Sequence, residues 1–254
     1  IGRTGLYAYQ AALDTTAHNI SNTETEGYTR QVLGIQASKA IKVNSTYGMV
    51  GTGVDVTGVK QLRDEYYDEK YRKNNMILGE YSTKANYMTS IQNYFNEVTL
   101  DGFTKTFNSL YDSLQEVANN PSSLTARNEV INYGMSLAEY FNSLAGNLKS
   151  IQEDCNFEIR NMVGKINSIA QQIATITKQI NTVEINGITA NDLRDQRALL
   201  VDELSQIVNV SVSENVVGDG VGVTSYVVTI DGQTLVDTGE YNQLKVVPRE
   251  KDKR

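Results

Sequence analysis

The side chains able to do chemistry are few. His18 is the only histidine and Cys155 the only cysteine in 254 residues. A single imidazole, with no HExxH, CxxC or Asp-rich calcium loop, excludes most histidine-centred triads, zinc sites and thiolate clusters. One cysteine also excludes an internal disulfide. Carboxylate pairs occur at Asp64/Asp68 and Asp202/Glu203, the kind of pairing that acid–base chemistry uses. Both pairs sit among basic residues, so they read as solvated polar faces. The run Gly218-Asp219-Gly220-Val221-Gly222 lies between strand-like segments, and no Lys-Ser/Thr follows it. That context fails for a phosphate loop and suits a flexible β-turn. His18 closes an amphipathic stretch and reads as a contact or capping group. No catalytic, cofactor-binding or metal-binding residue is expected, and the chain reads as non-enzymatic.

The elements that position these groups are mostly helical. Between residues 137 and 183 apolar side chains recur at Leu137, Phe141, Leu144, Leu148, Ile151, Cys155, Ile159, Met162, Ile166, Ile169, Ile173, Ile176, Ile180 and Val183. Spacings of three and four place them on one helical seam. Such a helix is roughly 70 Å long at 1.5 Å per residue, the spine of an antiparallel bundle rather than a dimerisation zipper. Cys155 lies in that seam and reads as a small buried apolar group. Before the seam, helical periodicity runs from about Val59 through Leu62, Tyr66, Tyr67, Ile77, Tyr81, Ala85, Met88, Ile91, Phe95 and Val98. A third helix carries Phe103, Phe107, Leu110, Leu114 and Val117, and Asn119–Ser123 supplies caps for the long one.

After the spine, Asn186-Gly187 stops the helix and Thr189 with Asp192 resembles a capping box. The next helix turns Leu193, Leu200, Leu204 and Ile207 inward and Asp195, Arg197, Asp202 and Glu203 outward. From Val208 the period becomes two, and Tyr226–Ile230, Asp231-Gly232, Gln233–Asp237 is a hairpin signal. Residues 32 to 59, rich in β-branched residues and glycine, read as short strands or an extended arm. The charged stretch Pro248–Arg254 carries no capping element and reads as a domain cut in half.

At the other end, residues 5 to 20 form a short amphipathic helix. Leu6, Tyr9, Leu13, Ala17 and Ile20 make its apolar face, while Gly5, Ala8, Ala11 and Ala12 admit a closely packed neighbour. About four turns are marginal alone in water. No element of the sequence obviously covers the apolar face. Asn19-Ile20-Ser21-Asn22 ends the helix, Gly27 supplies a positive φ, and Tyr28 anchors the turn. The chain carries a net charge of −7, which removes the usual electrostatic basis for nucleic-acid binding. No apolar run approaches the roughly 20 residues that span a bilayer.

Ala12-Leu13-Asp14-Thr15-Thr16-Ala17-His18-Asn19-Ile20-Ser21-Asn22, followed by Gly27-Tyr28-Thr29-Arg30-Gln31, resembles the amino-terminal signature of bacterial flagellar axial proteins. The Arg-Gln pair, Gly51–Val56 and the passage Asn191–Leu204 into Val208–Val212 look most like the hook-associated protein 1 family. Glu26 stands where that family usually has Pro. The resemblance implies a structural subunit joining hook to filament. It further implies export in unfolded form through the flagellar type III apparatus, without a cleaved leader, to an extracellular place in the flagellum. Implied partners are copies of itself, the hook protein and hook-associated protein 3, with an export chaperone on a carboxy-terminal part. No cofactor, nucleic acid or membrane insertion is implied.

The expected fold is mainly α: an elongated antiparallel bundle with a long central helix and a small β region. Its expected parts are an assembly segment 1–34, an extended or β arm 35–58, a helical rod 59–207 and a β-hairpin segment 208–254. Subunit packing falls to Leu6, Tyr9, Leu13, Ala17 and Ile20, and the turn to Asn19, Asn22, Gly27, Tyr28, Arg30 and Gln31. Rival readings are a hook or rod subunit, hook-associated protein 3, or a flagellar-like surface protein with a domain added after residue 254.

Overall fold

The computed structural model describes residues 1–44, 48–95, 102–217 and 223–247. The expectations for Val98, Gly218–Gly222 and Pro248–Arg254 fall outside them. The fold is mainly helical with small antiparallel sheets, as the periodicities imply. In order the elements are α1 (Gly2–Ser21), β1 (Gln31–Ala37), β2 (Ile41–Asn44), β3 (Gly48–Val50), β4 (Val54–Gln61), α2 (Glu65–Tyr94) and α3 (Phe103–Asn119). There follow α4 (Leu124–Glu184), α5 (Asn191–Ser205), β5 (Val210–Val216), β6 (Thr224–Ile230), β7 (Gln233–Asp237) and β8 (Glu240–Tyr241). The chain divides into a unit of residues 1–79 with 163–254 and a unit of residues 80–162.

The first unit holds the core. Ile166, Ile169, Ala170, Ile173 and Ala174 of α4 meet Val201 and Leu204 of α5 and Tyr226, Val228, Leu235 and Val236 of the sheet. The sheet is antiparallel in the order β5-β6-β7-β8. Alternation along β6 puts Thr224, Tyr226 and Val228 inside, because successive side chains point to opposite faces. Asp231 (φ 46°) and Gly232 (φ 81°) close the β6–β7 hairpin, both positive as a two-residue I′ turn requires. Gly187 (φ 77°) follows the end of α4, and its N–H donates to the Glu184 carbonyl at 2.9 Å.

β1 pairs with β4 and β2 with β3, each antiparallel. Helix was expected from about Val59, but β4 continues to Gln61 and α2 begins at Glu65. Val59, Lys60 and Gln61 are held by Leu33, Val32 and Gln31 across the ladder. A strand partner outweighs a weak helical period here.

The second unit contains the rest of α2, α3 and the first two-thirds of α4. Phe103 stacks on Phe107 at 5.5 Å between ring centroids and meets Phe141 of α4 at 5.9 Å. The Tyr87 hydroxyl of α2 donates to the Glu158 carboxylate of α4. The seam of α4 is not uniformly buried. Phe141, Leu148 and Ile159 are about half exposed and Cys155 is only half-buried, correcting its expected burial. Ala126 is buried in the first turn of α4, but sustained burial begins at Ile166, where α5 and the sheet lie against the helix.

Candidate assembly site

Helix α1 has its large side chains on the wrong side for a core. Ala8 is buried, with Thr4, Gly5, Ala11, Ala12 and Thr15 half-buried around it, and α1 lies against β1 and β4. The neighbour admitted by the small residues is thus a pair of strands. Leu6, Tyr9, Leu13 and Ile20 are 65–74% exposed, and Ala17 is exposed with them. These five sit three or four residues apart. Together they form an apolar stripe that nothing among the described residues of the unit covers.

The turn after α1 is built on the Asn19 carboxamide. Its Nδ2 donates to the Gln31 carbonyl at 2.9 Å, and its Oδ1 accepts from the Gln31 N–H at 2.8 Å. One side chain thereby completes both backbone bonds of the first residue of β1, as a strand neighbour would. Asn19 Oδ1 also accepts from the Tyr28 hydroxyl at 2.8 Å. That hydroxyl lies 2.9 Å from His18 Nδ1. Asn22 Nδ2 donates to the His18 carbonyl at 3.0 Å, and Asn22 Oδ1 accepts from Thr25 Oγ1 at 3.1 Å. Gly27 has φ 77°, and a Cβ there would sit 3.2 Å from Leu199 Cβ, so conformation and space both demand glycine. Arg30 is exposed, and its carbonyl accepts from the Leu62 N–H at 2.9 Å.

Helix α5 receives this turn through carboxylates. Asp195 Oδ2 accepts from the Thr29 N–H at 3.0 Å, and Asp192 Oδ1 accepts from Gln31 Nε2 at 2.9 Å. Asp192 Oδ2 is 3.9 Å from His18 Nε2. Asn191 Nδ2 donates to the Val59 carbonyl at 3.0 Å, and Gln61 Nε2 donates to the Asn191 carbonyl at 2.8 Å. Arg63, between β4 and α2, binds Asp68 at 2.5 Å and lies 3.8 Å from Asp195 and 3.9 Å from Asp202. Arg72 binds Asp202 at 2.8 Å. Burial pushes the carboxyls of Asp195 and Asp202 up, an effect partly offset by Thr29 and Arg63 at the first and by Arg72 and Arg63 at the second. Burial and then the Asp192 and Asp195 charges push the Tyr28 phenol up.

Asp195 and Arg197 were expected outward, and both are buried. Arg197 lies 3.6 Å over the Tyr226 ring and binds Glu214 at 2.9 Å. Asp202 is half-buried rather than solvated. Thr189 and Asp192 form no capping box: the cap residue of α5 is Ala190, whose N–H donates to Glu184 Oε1 at 3.0 Å. Glu184 also takes a two-pronged bond from Arg194 at 2.6 and 2.7 Å. Burial works against its charge, but those bonds and the nearby arginines hold its carboxyl below the ordinary value. Sequence reasoning missed Arg63, Asn191, Asp192, Asp195 and Leu199 as parts of this site. The available signal was an Asp192-Asp195-Leu199-Asp202 stripe on one face of α5. Among the described residues no group of three or more His, Cys, Asp or Glu is placed to hold a metal ion. No helix there is long and apolar enough to cross a membrane.

Residues 1–29 match the flagella basal body rod protein family model. Residues 88–254 match the model described as flagellar hook-associated protein FlgK helical domain. The chain belongs to that hook-associated protein family.

A flagellar hook-associated protein 1 of Bacillus subtilis is 39% identical over 84% of this chain, and that of Salmonella typhimurium is 33% identical over 98%. The chain spans 43–44% of the length of these relatives. A solved family member, the flagellar hook junction protein FlgK of Burkholderia pseudomallei, aligns with TM-score 0.57 and 26% identity. That alignment covers 69% of this chain and 30% of the other.

Proposed function

We propose that this chain is the amino-terminal part of a structural subunit that joins hook to filament in the bacterial flagellum, and not an enzyme. The observation that carries the reading is α1, folded with its large apolar stripe facing away from its own unit. An apolar surface of that kind on a helix marks an interaction site. Family membership and the relatives' names support the flagellar setting. Leu6, Tyr9, Leu13, Ala17 and Ile20 pack against neighbouring axial subunits. Asn19, Asn22, Gly27, Tyr28, Arg30 and Gln31 hold that helix at a fixed angle to the rest. The neighbours are copies of this protein, hook protein and hook-associated protein 3, and a chaperone binds the carboxy-terminal part before export. Export runs through the flagellar type III apparatus to an extracellular position.

In this scheme residues 1–34 are the assembly segment, 35–58 the arm, 59–207 the helical rod and 208–254 the hairpin segment. The test is Leu13→Glu in the full-length protein, expressed in cells lacking their own copy. Filaments should be lost from the hook while circular dichroism of the purified variant stays unchanged. Cells that kept attached filaments would refute the packing role of the stripe.

A further inference from the structure

Two asparagines on α4 repeat the arrangement found at Asn19. Asn181 Nδ2 donates to the Thr224 carbonyl and Asn181 Oδ1 accepts from the Thr224 N–H, both at 3.1 Å. Asn167 Nδ2 donates to the Leu244 carbonyl at 3.0 Å, and its Oδ1 accepts from the Leu244 N–H at 2.8 Å. A carboxamide presents a donor and an acceptor side by side, so each side chain completes both backbone bonds of one residue. Local propensity explains neither asparagine, because the residue is a poor helix former. The two stand about four turns apart on α4, roughly 21 Å at 1.5 Å per residue. Thr224 opens β6, beyond the last β6–β7 pair of Val227 with Asp237. Asn181 thus stands where a longer β7 would have paired. Leu244 lies just past the end of β8 at Tyr241, so Asn167 grips the chain as it leaves the sheet.

We propose that Asn167 is a positioning residue that clips the departing chain to α4 and so sets the point on that helix from which the carboxy-terminal part continues. The proposal rests on the reading of this chain as the amino-terminal part of a longer subunit. The exit is secured in two steps. Asn242 is tied to β7, its N–H donating to the Leu235 carbonyl at 2.7 Å and its Nδ2 to the Thr234 carbonyl at 2.8 Å. At Leu244 a different element, α4, takes over. Apolar packing does little for this segment: Leu244, Val246 and Val247 are 39%, 42% and 84% exposed. Without the clip the chain would pivot at Asn242. The core of α4, α5 and the sheet contains neither Asn167 nor Leu244, so the clip is separable from folding.

The first readout is amide hydrogen exchange on the whole chain. Asn167→Ala should speed exchange of the Leu244 N–H about tenfold, the worth of one or two ordinary bonds, and leave Thr224 and Val228 unchanged. Asn181→Ala should free Thr224 and spare Leu244, since clips that share no partner act independently. Asn167→Asp keeps the acceptor for the Leu244 N–H and loses the donor to its carbonyl, so its effect should be smaller. The second readout is double electron–electron resonance in the same chain. Cys155→Ser removes the only cysteine, and spin labels go on Thr182→Cys of α4 and on Val247→Cys, both exposed. The distance distribution should be narrow, and Asn167→Ala should broaden it. Unchanged Leu244 exchange in Asn167→Ala overturns the clip, as does acceleration of Leu244 and Thr224 together. A distribution equally narrow with and without Asn167 overturns its positioning role. None of these outcomes touches the joining function, whose own test is filament attachment in Leu13→Glu.

Discussion

Replacing Asn19 by Ala removes the group on which the turn is built, and the cost can be worked from the contacts. Three bonds disappear: two to the Gln31 backbone at 2.8 and 2.9 Å and one from Tyr28 at 2.8 Å. A typical bond contributes about 1 kcal/mol net, but a buried donor left without a partner costs about 1–3 kcal/mol. Gln31 is 8% exposed, so its N–H is the expensive loss, whereas Tyr28 can turn its hydroxyl to water. The total is about 3 kcal/mol, roughly a 150-fold shift in the local opening equilibrium. The loss should stay local, because the core of α4, α5 and the sheet contains neither Asn19 nor Gln31. Hydrogen exchange of Gln31 and Leu62 should accelerate by about that factor while the main thermal transition moves little. Asn19→Asp keeps the acceptor and loses only the donor to the Gln31 carbonyl, and should fall between. Unchanged exchange at Gln31 in Asn19→Ala would refute the claim that this side chain secures β1 to α1.

Other outcomes follow from single contacts. Gly27→Ala places a side chain at φ 77° and against Leu199, which should cost about 1–2 kcal/mol by denaturant titration. Leu199→Ala removes the methyl contacts at 3.3 and 3.4 Å but keeps Cβ at 3.2 Å, so it should relieve only a fraction of the steric cost and none of the conformational cost. Gly79→Ala brings about 1 kcal/mol of helix propensity, yet its Cβ would run into the Gln206 carbonyl. That backbone clash should win, giving net destabilisation in the same assay. Ile173 is fully buried, so Ile173→Ala should lower stability by about 2–5 kcal/mol and shift the main transition that Asn19→Ala spares. The carboxyl of Glu184 is depressed in the folded state, so its contribution is present above the unfolded carboxylate range and is lost as pH falls through the folded value. Glu184→Gln should lower stability at neutral pH and flatten its decline on acidification, measured by thermal melts from pH 7 downward. Asp195 and Asp202 act with the opposite sign, since burial raises both. Asp195→Asn keeps an acceptor for the Thr29 N–H and removes the buried charge, so thermal melts should show a smaller loss of stability at pH 7 than below the carboxylate range.

The sequence by itself determined what nearest neighbours along the chain decide. The three–four spacing produced α4, and Asn186-Gly187 its end. Asp231-Gly232 fixed the β6–β7 hairpin, and Gly27 the positive φ of the turn. The site was half legible for the same reason. Asn19, Tyr28 and Gln31 lie within twelve residues of one another, so their types and spacing carried the turn.

Tertiary structure alone decided the sides. Asp195 and Arg197 read outward because charge on a helix is normally solvated. Each is buried because a partner arrives from elsewhere: the Thr29 N–H from 166 residues away, and Glu214 with the Tyr226 ring from the sheet. Val59 to Gln61 became strand because β1 lies alongside, a pairing no local window contains. The one seam of α4 divides into a half-covered stretch and a true core according to what lies against it. Periodicity specifies a face, but only the assembled neighbours determine whether that face is buried by this chain or left for another.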